Sequence, residues 1–206
     1  MKKIGFIGVG VMGKSMVRNL MKHGFEVSIY ARTKAKVEDV LNDGALWCDT
    51  IAHCATGRDA VGYPKDVEEV YFGQGAILAK ATQGCVLIDM TTTSPQLAVK
   101  IEAAAKEKGL KALDAPVSGG DVGAKNGTLS IMVGGEKETY EQCLPIFQAM
   151  GSTILYEGKA GTGQHTKMAN QIALGGAIAG VCEAMTYAKK VGLDLQTMLD
   201  SISQGA

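Results

Sequence analysis

Short apolar runs alternate along the chain with stretches whose apolar residues recur every three or four positions, which predicts strands alternating with helices. Residues 3–7 read as a buried strand, followed by glycines and a helical stretch over 11–23 that Gly24 stops. Residues 26–30 form a second strand, Thr33 is placed to cap a helix ending before Gly44, and 45–47 give a short third strand. The run 85–89 is apolar enough to be covered on both faces. Ser94 and Pro95 open a helix that Gly109 closes. Strands follow at 110–114 and 128–133, then a helix over 136–150 stopped by Gly151, then a strand at 153–156. The stretch 49–63 has no clear period.

This alternation predicts right-handed βαβ units and an α/β fold: a Rossmann-type, doubly wound, mostly parallel sheet. After Tyr156 the pattern changes. Gly158, Gly161 and Gly163 read as a hinge, and from Thr162 to Val191 there is neither a strand signal nor a proline. A helix of about 29 residues would be about 43 Å long, too long for one more crossover. Gly192 ends it, and a further helix spans 195–202. The expected organisation is a dinucleotide-binding domain over 1–161 and the start of an all-helical domain over 162–206.

Composition narrows the function classes. Lys plus Arg and Asp plus Glu are each 21, so the net charge is zero, which disfavours a nucleic-acid or anionic-membrane surface as partner. Aromatic content of 5% makes a base-stacking platform a poor fit. The five cysteines include no CxxC pair and suit a reducing compartment; no signal peptide and no membrane-length apolar run is read, so the expected location is the cytoplasm. No His/Cys/Asp cluster has metal-ligand spacing, and no metal is expected.

The first strand runs into Gly8-Val9-Gly10-Val11-Met12-Gly13, a G-x-G-x-x-G that opens a helix. In that context Gly8 makes the turn, Gly10 lets a pyrophosphate approach the backbone, and Gly13 lets helix and strand pack. The second strand ends in Tyr30-Ala31-Arg32-Thr33, with no acid to hold ribose hydroxyls. Arg32 can meet a 2′-phosphate, Thr33 can donate to it, and Lys36 follows one turn on. The expected cofactor is NADP(H), with NAD(H) as the second choice.

With these residues in view, the chain resembles the β-hydroxyacid dehydrogenase family, which includes 3-hydroxyisobutyrate dehydrogenase, tartronate semialdehyde reductase and glyoxylate/succinic semialdehyde reductases and is related to 6-phosphogluconate dehydrogenase. The blocks IGFIGVGVMGKSM, IDMTTTSP, DAPVSGGDVGAKNGTLSIMVGG and GTGQHTKMANQ carry the resemblance in order between Ile4 and Gln171. It implies a phosphate loop at Gly8, Val9, Gly10, Val11, Met12 and Gly13, an adenosine-phosphate reader at Ala31-Arg32-Thr33, and Thr92 beside the nicotinamide ribose. It further implies that Ser118, Gly119 and Gly120 bind the substrate carboxylate together with Lys167, that Lys167 is catalytic, and that Asn170 assists it. The residue types fit that chemistry: a lysine with a lowered pKa can exchange the hydroxyl proton, and Lys167, Asn170 and Gln171 share one helical face. His165 falls outside the matching positions, and Asp114 and Asp121 read as structural or loop-capping carboxylates.

Two departures from the family pattern stand out. The strand before Gly62 is expected to be cut to about two or three residues, with Arg58-Asp59-Ala60-Val61 running almost directly into Gly62-Tyr63-Pro64-Lys65-Asp66-Val67. The sequence also ends at Ala206, early in the helical part, so the small-residue face at Gly175, Gly176, Ala177, Ala179 and Gly180 is expected to pair with a second copy. The leading expectation is an oxidoreductase passing a hydride between NADP(H) and a small β-hydroxy acid or semialdehyde. The alternative is a non-catalytic dinucleotide-binding remnant. A protein-interaction module using the long helix is a third reading. An imine reductase is disfavoured by the lysine at 167.

Overall fold

The structure, a computed structural model, describes residues 3–57, 59–62 and 67–203, with backbone alone for 59–62. Positions 58 and 63–66, part of the departure noted at the fourth strand, lie outside the described residues. Strand β1 (Lys3–Ile7) is central, flanked in parallel by β2 (Glu26–Tyr30) and β4 (Asp59–Gly62). Beyond β2 lies β3 (Leu46–Trp47); beyond β4 lie β5 (Val86–Asp89) and β6 (Lys111–Asp114), all parallel. The order β3-β2-β1-β4-β5-β6 is the doubly wound arrangement, in which the crevice lies at the carboxyl ends of the strands where the winding reverses.

The sheet then continues with the opposite sense. Strand β8 (Leu129–Gly135) is antiparallel to β6 and to β7 (Val117–Ser118), while β9 (Gly151–Gly158) runs parallel to β8. Helices cover both faces. They are α1 (Val11–Lys22), α2 (Glu38–Asn42), α3 (Ile51–Ala55), α4 (Val67–Phe72), α5 (Ile77–Lys80), α6 (Pro95–Glu107), α7 (Gly120–Asn126) and α8 (Lys137–Met150). Two apolar clusters result. One joins Ile4, Phe6, Met16, Leu20, Ile88 and Phe147; the other joins Ile7, Tyr71, Ile77, Leu87 and Ile101. Adjacent β5 residues, Leu87 and Ile88, point into different clusters, as the period of two requires.

Several local expectations hold. Gly24 follows α1 with φ 84°, and Ser94 Oγ accepts the Leu97 N–H at 3.1 Å ahead of Pro95. Helix α9 (Thr162–Lys190) has the predicted 29 residues, and α10 (Leu195–Ile202) follows it.

Others are corrected. Thr33 makes no side-chain cap; a 3-10 turn (Lys34–Val37) intervenes before α2. Helix α8 does stop at Gly151 as expected, but the following strand starts there and not at 153: Gly151 is extended, at φ −145°, and a Cβ on it would collide with the Leu129 carbonyl. Strand β4 has four residues and pairs on both sides, with β1 and with β5, so the sheet is continuous where a shortfall was expected. The glycines read as a hinge are fastened: Gly161 N–H donates to Asp114 Oδ1 at 2.7 Å, and a Cβ on Gly163 would strike the Met132 carbonyl. Strand β7 and helix α7 are additions that the periodicity did not reveal.

By internal contacts the chain divides into two units, Met1–Lys167 and Met168–Ala206. The first holds the whole sheet. The second holds the rest of α9 and α10, whose start is capped by Asp194 Oδ1 accepting the Thr197 N–H at 2.8 Å.

Candidate active site

The first turn after β1 is built on glycine. Gly8 has φ 96°, a conformation that side chains disfavour, and its N–H donates to the Tyr30 carbonyl at 3.0 Å. A Cβ on Gly13 would sit 2.6 Å from the Gly8 carbonyl, so α1 can lie this close to the loop only without a side chain there. Gly10 differs: a Cβ on it would meet nothing within 4 Å, because it faces open space. That space is a cavity of about 580 Å³ lined by Gly8, Val9 and Gly10 after β1, by Ala31, Arg32, Thr33 and Lys36 after β2, and by Glu69, Gly73 and Gln74 from the region of α4. Gly10 also ends the chain before α1 without a capping side chain, leaving the positive end of the helix at the cavity.

The charged side chains of α1, α2 and the cavity wall fall into two sets. Lys14 and Arg18 on α1 are bound to Asp39 at 2.7 and 2.8 Å, and Arg18 also to Asp43 at 2.6 Å. The Lys14 and Arg18 hydrogen bonds hold the Asp39 carboxyl down to about 2. This network ties α2 to α1. Among the described residues neither Arg32 nor Lys36 has an ion-pair partner. Val11, Met12, Gly13 and Thr92 are not among the residues lining this cavity; Thr92 is exposed on the loop after β5.

A second group of residues gathers where β5, β6 and β7 end and α9 begins. Ser118 closes β7, and Gly119 and Gly120 follow with φ 123° and 62°. Lys167, on the second turn of α9, is only 8% exposed, and its Nζ donates to Ser118 Oγ at 3.4 Å. Burial pushes the Lys167 ammonium below its ordinary pKa. Asn170 lies one turn further along α9, in the second unit, with its amide donating to Gln171 Oε1 at 3.1 Å. His165 is exposed.

The start of α9 is held by Asp114, in the structural role read for it, and by Gln164 and Asp89, which the sequence reading passed over. Asp114, at the tip of β6, accepts from the N–H groups of Gly161 and Gln164, the latter at 2.9 Å. Burial raises the Asp114 pKa against those hydrogen bonds. Gln164 is 1% exposed; its Oε1 accepts the Thr93 N–H at 3.0 Å and its Nε2 donates to the Thr91 carbonyl at 2.8 Å. Asp89, paired with Asp114 across the β5–β6 ladder, accepts the Thr91 N–H at 3.0 Å and is pushed up to about 7, chiefly by burial. The available sequence signals were an acidic residue closing each of two apolar strands and a glutamine one turn before Lys167. Among the described residues no cluster of His, Cys, Asp and Glu could hold a metal ion, and no helix is long and apolar enough to cross a membrane.

Residues 3–158 match the family model described as the NAD binding domain of 6-phosphogluconate dehydrogenase. Residues 161–206 match the one described as NAD-binding of NADP-dependent 3-hydroxyisobutyrate dehydrogenase. An uncharacterized oxidoreductase of Bacillus subtilis is 58% identical over 209 residues, covering 100% of this chain and 73% of that protein. A probable mitochondrial 3-hydroxyisobutyrate dehydrogenase-like protein of Arabidopsis thaliana is 44% identical, covering 99% of this chain and 62% of its own length. The solved structure of the Mycobacterium tuberculosis 3-hydroxyisobutyrate dehydrogenase with L-serine superposes with a TM-score of 0.90 at 30% identity, covering 100% of this chain and 71% of that one. The chain thus spans 62% to 73% of the length of these proteins.

Proposed function

The chain belongs to the β-hydroxyacid dehydrogenase family, whose members are nicotinamide-dinucleotide-dependent hydroxyacid oxidoreductases, and we propose that it passes a hydride between NADP(H) and a small β-hydroxy acid or its semialdehyde, of the 3-hydroxyisobutyrate type. The observation that carries this reading is the buried Lys167 in contact with Ser118, on a scaffold whose first glycine turn opens into a cavity. The remnant reading rested on a shortened β4 and on missing C-terminal helices; the first ground is gone, since β4 is paired on both sides.

The residues present fit a dinucleotide. Gly10 leaves room for phosphates that any side chain would take up, and the start of α1 favours their charge. Arg32 and Lys36, with Thr33, suit a 2′-phosphate, which is the basis for preferring NADP(H) to NAD(H). When bound, the cofactor supplies or accepts the hydride at its nicotinamide ring. The chain's own residues handle the rest. Ser118 Oγ, with the Gly119 and Gly120 amides, holds the substrate carboxylate. Lys167 Nζ gives its proton to the carbonyl oxygen in reduction and takes the hydroxyl proton in oxidation. Its burial lowers its pKa, which favours the neutral amine more than at an exposed lysine. Asn170 orients the lysine or the substrate hydroxyl, and Thr92 takes the nicotinamide ribose.

The cofactor domain is assigned to 1–161 and the helical domain to 162–206, near the junction of the two family matches. Two chains pair through the helical part, and the protein works in the cytoplasm.

The test is NADPH oxidation by purified protein across a panel of small semialdehydes, repeated with NADH. Turnover with kcat/KM at least tenfold higher for NADPH, a difference of about 1.4 kcal/mol, is expected, and it should vanish in Arg32→Ser. Equal use of both cofactors would remove the role given to Arg32. No turnover across the panel would remove the substrate class.

A further inference from the structure

Both ends of the Gln164 carboxamide are engaged, and both contacts reach the same short loop. Oε1 takes the Thr93 N–H at 3.0 Å, and Nε2 gives to the Thr91 carbonyl at 2.8 Å. The loop's other anchor is Asp89, which accepts the Thr91 N–H. The backbone N–H of Gln164 is bound in turn to Asp114 Oδ2 at 2.9 Å. The side chain is 1% exposed, so these bonds are made away from water, where a missing partner is costly. Gln164 lies three residues before Lys167 on α9, one turn along the same face. It therefore joins the loop carrying Thr92 to the helical turn carrying the lysine.

We propose that Gln164 is a positioning residue, fixing the separation between the loop 91–93 and Lys167 so that the ribose-binding and proton-transfer groups stand in register. This rests on the roles given above to Thr92 and Lys167. It acts through them and touches no reacting atom. A displacement of about 1 Å at a reacting centre can cost on the order of a hundredfold in rate, which sets the size of the expected effect.

Two substitutions in the full chain test it. Gln164→Met keeps the length and removes both hydrogen bonds. It should lower kcat ten- to a hundredfold while the NADPH dissociation constant and the semialdehyde KM stay within threefold. In the dinucleotide-free protein it should speed hydrogen exchange at the Thr93 amide at least tenfold. Gln164→Glu keeps the acceptor for Thr93 but, when ionised, sets a carboxylate oxygen against the Thr91 carbonyl; protonation restores the donor. Its kcat relative to wild type should therefore rise as pH falls. Taking the ratio removes only what the titration of Asp89, Asp114 and Lys167 contributes equally to both proteins. If the Met variant does not fold, the pH dependence of the Glu ratio decides alone.

Unchanged exchange at Thr93, kcat within twofold of wild type, or a flat Glu ratio would each overturn the proposal. Lys167→Ala run alongside separates the two levels. If it retains full turnover, the reading of Lys167 fails and this proposal falls with it. If it is inactive while Gln164→Met is not, the proposal falls alone.

Discussion

Asp89 and Asp114 close neighbouring strands as register partners, and burial raises both, Asp89 to about 7. An acid whose pKa is higher folded than unfolded keeps its proton longer in the folded state. Folding is then favoured below the unfolded value near 4 and loses free energy as pH rises towards 7, by roughly 1.4 kcal/mol per pH unit for such a group. Asp39 has the opposite sign, since Lys14 and Arg18 lower it; what it contributes is lost as pH falls from about 4 to about 2. Asp89→Asn keeps an oxygen for the Thr91 N–H and removes the titration. Urea midpoints at several pH values between 4 and 8 should show wild type weakening with pH and the variant markedly flatter. An equal slope in both would mean that Asp89 is ionised in the fold. Lys167 titrates low for the same physical reason, burial, but in its case burial disfavours the cation.

At the scale of elements, the β1–α1 turn separates two uses of glycine. Gly13 is needed by the fold, because its Cβ would crowd the Gly8 carbonyl at 2.6 Å; Gly10 has free space around it, so the fold does not require it and the proposed phosphates would. Gly10→Ala should keep the thermal midpoint within a few degrees and weaken NADPH binding at least tenfold. Gly13→Ala should lower the midpoint sharply. Equal thermal losses in both, read by circular dichroism with parallel fluorescence titration, would contradict this division. This turn was legible in the sequence because its signal is local: a strand, three spaced glycines, then a helix. The Ser94 cap and the length of α9 were legible for the same reason. Strand β4 was not, since four residues that begin Asp59-Ala60 declare no period and gain their place only by pairing with β1 and β5. Nor was Gln164, whose partners lie 71 and 73 residues away. Strand β7, at two residues, is too short to show alternation.

At the scale of the molecule, much of α9 is apolar and uncovered. Ile172 is 69% exposed and Ile178 56%, and a Cβ on Gly175, Gly176 or Gly180 would meet nothing within 4 Å. Small residues on such a face let a second helix approach closely, and a single chain seldom leaves so much apolar surface in water. Sedimentation at micromolar concentration should therefore show a dimer, and Gly176→Arg should shift it to monomer. A wild-type monomer at that concentration would contradict the pairing.

The proposed proton carrier is one amine, Lys167 Nζ, held beside Ser118 at the end of the sheet. The most direct measurement compares Lys167→Ala with wild type in NADPH-dependent semialdehyde reduction and in NADPH binding. Loss of turnover by a factor of about 10² to 10⁴, with the dinucleotide bound as tightly as before, is the predicted result. Turnover that survives the loss of the amine would place the acid–base chemistry elsewhere and contradict the reading of the site.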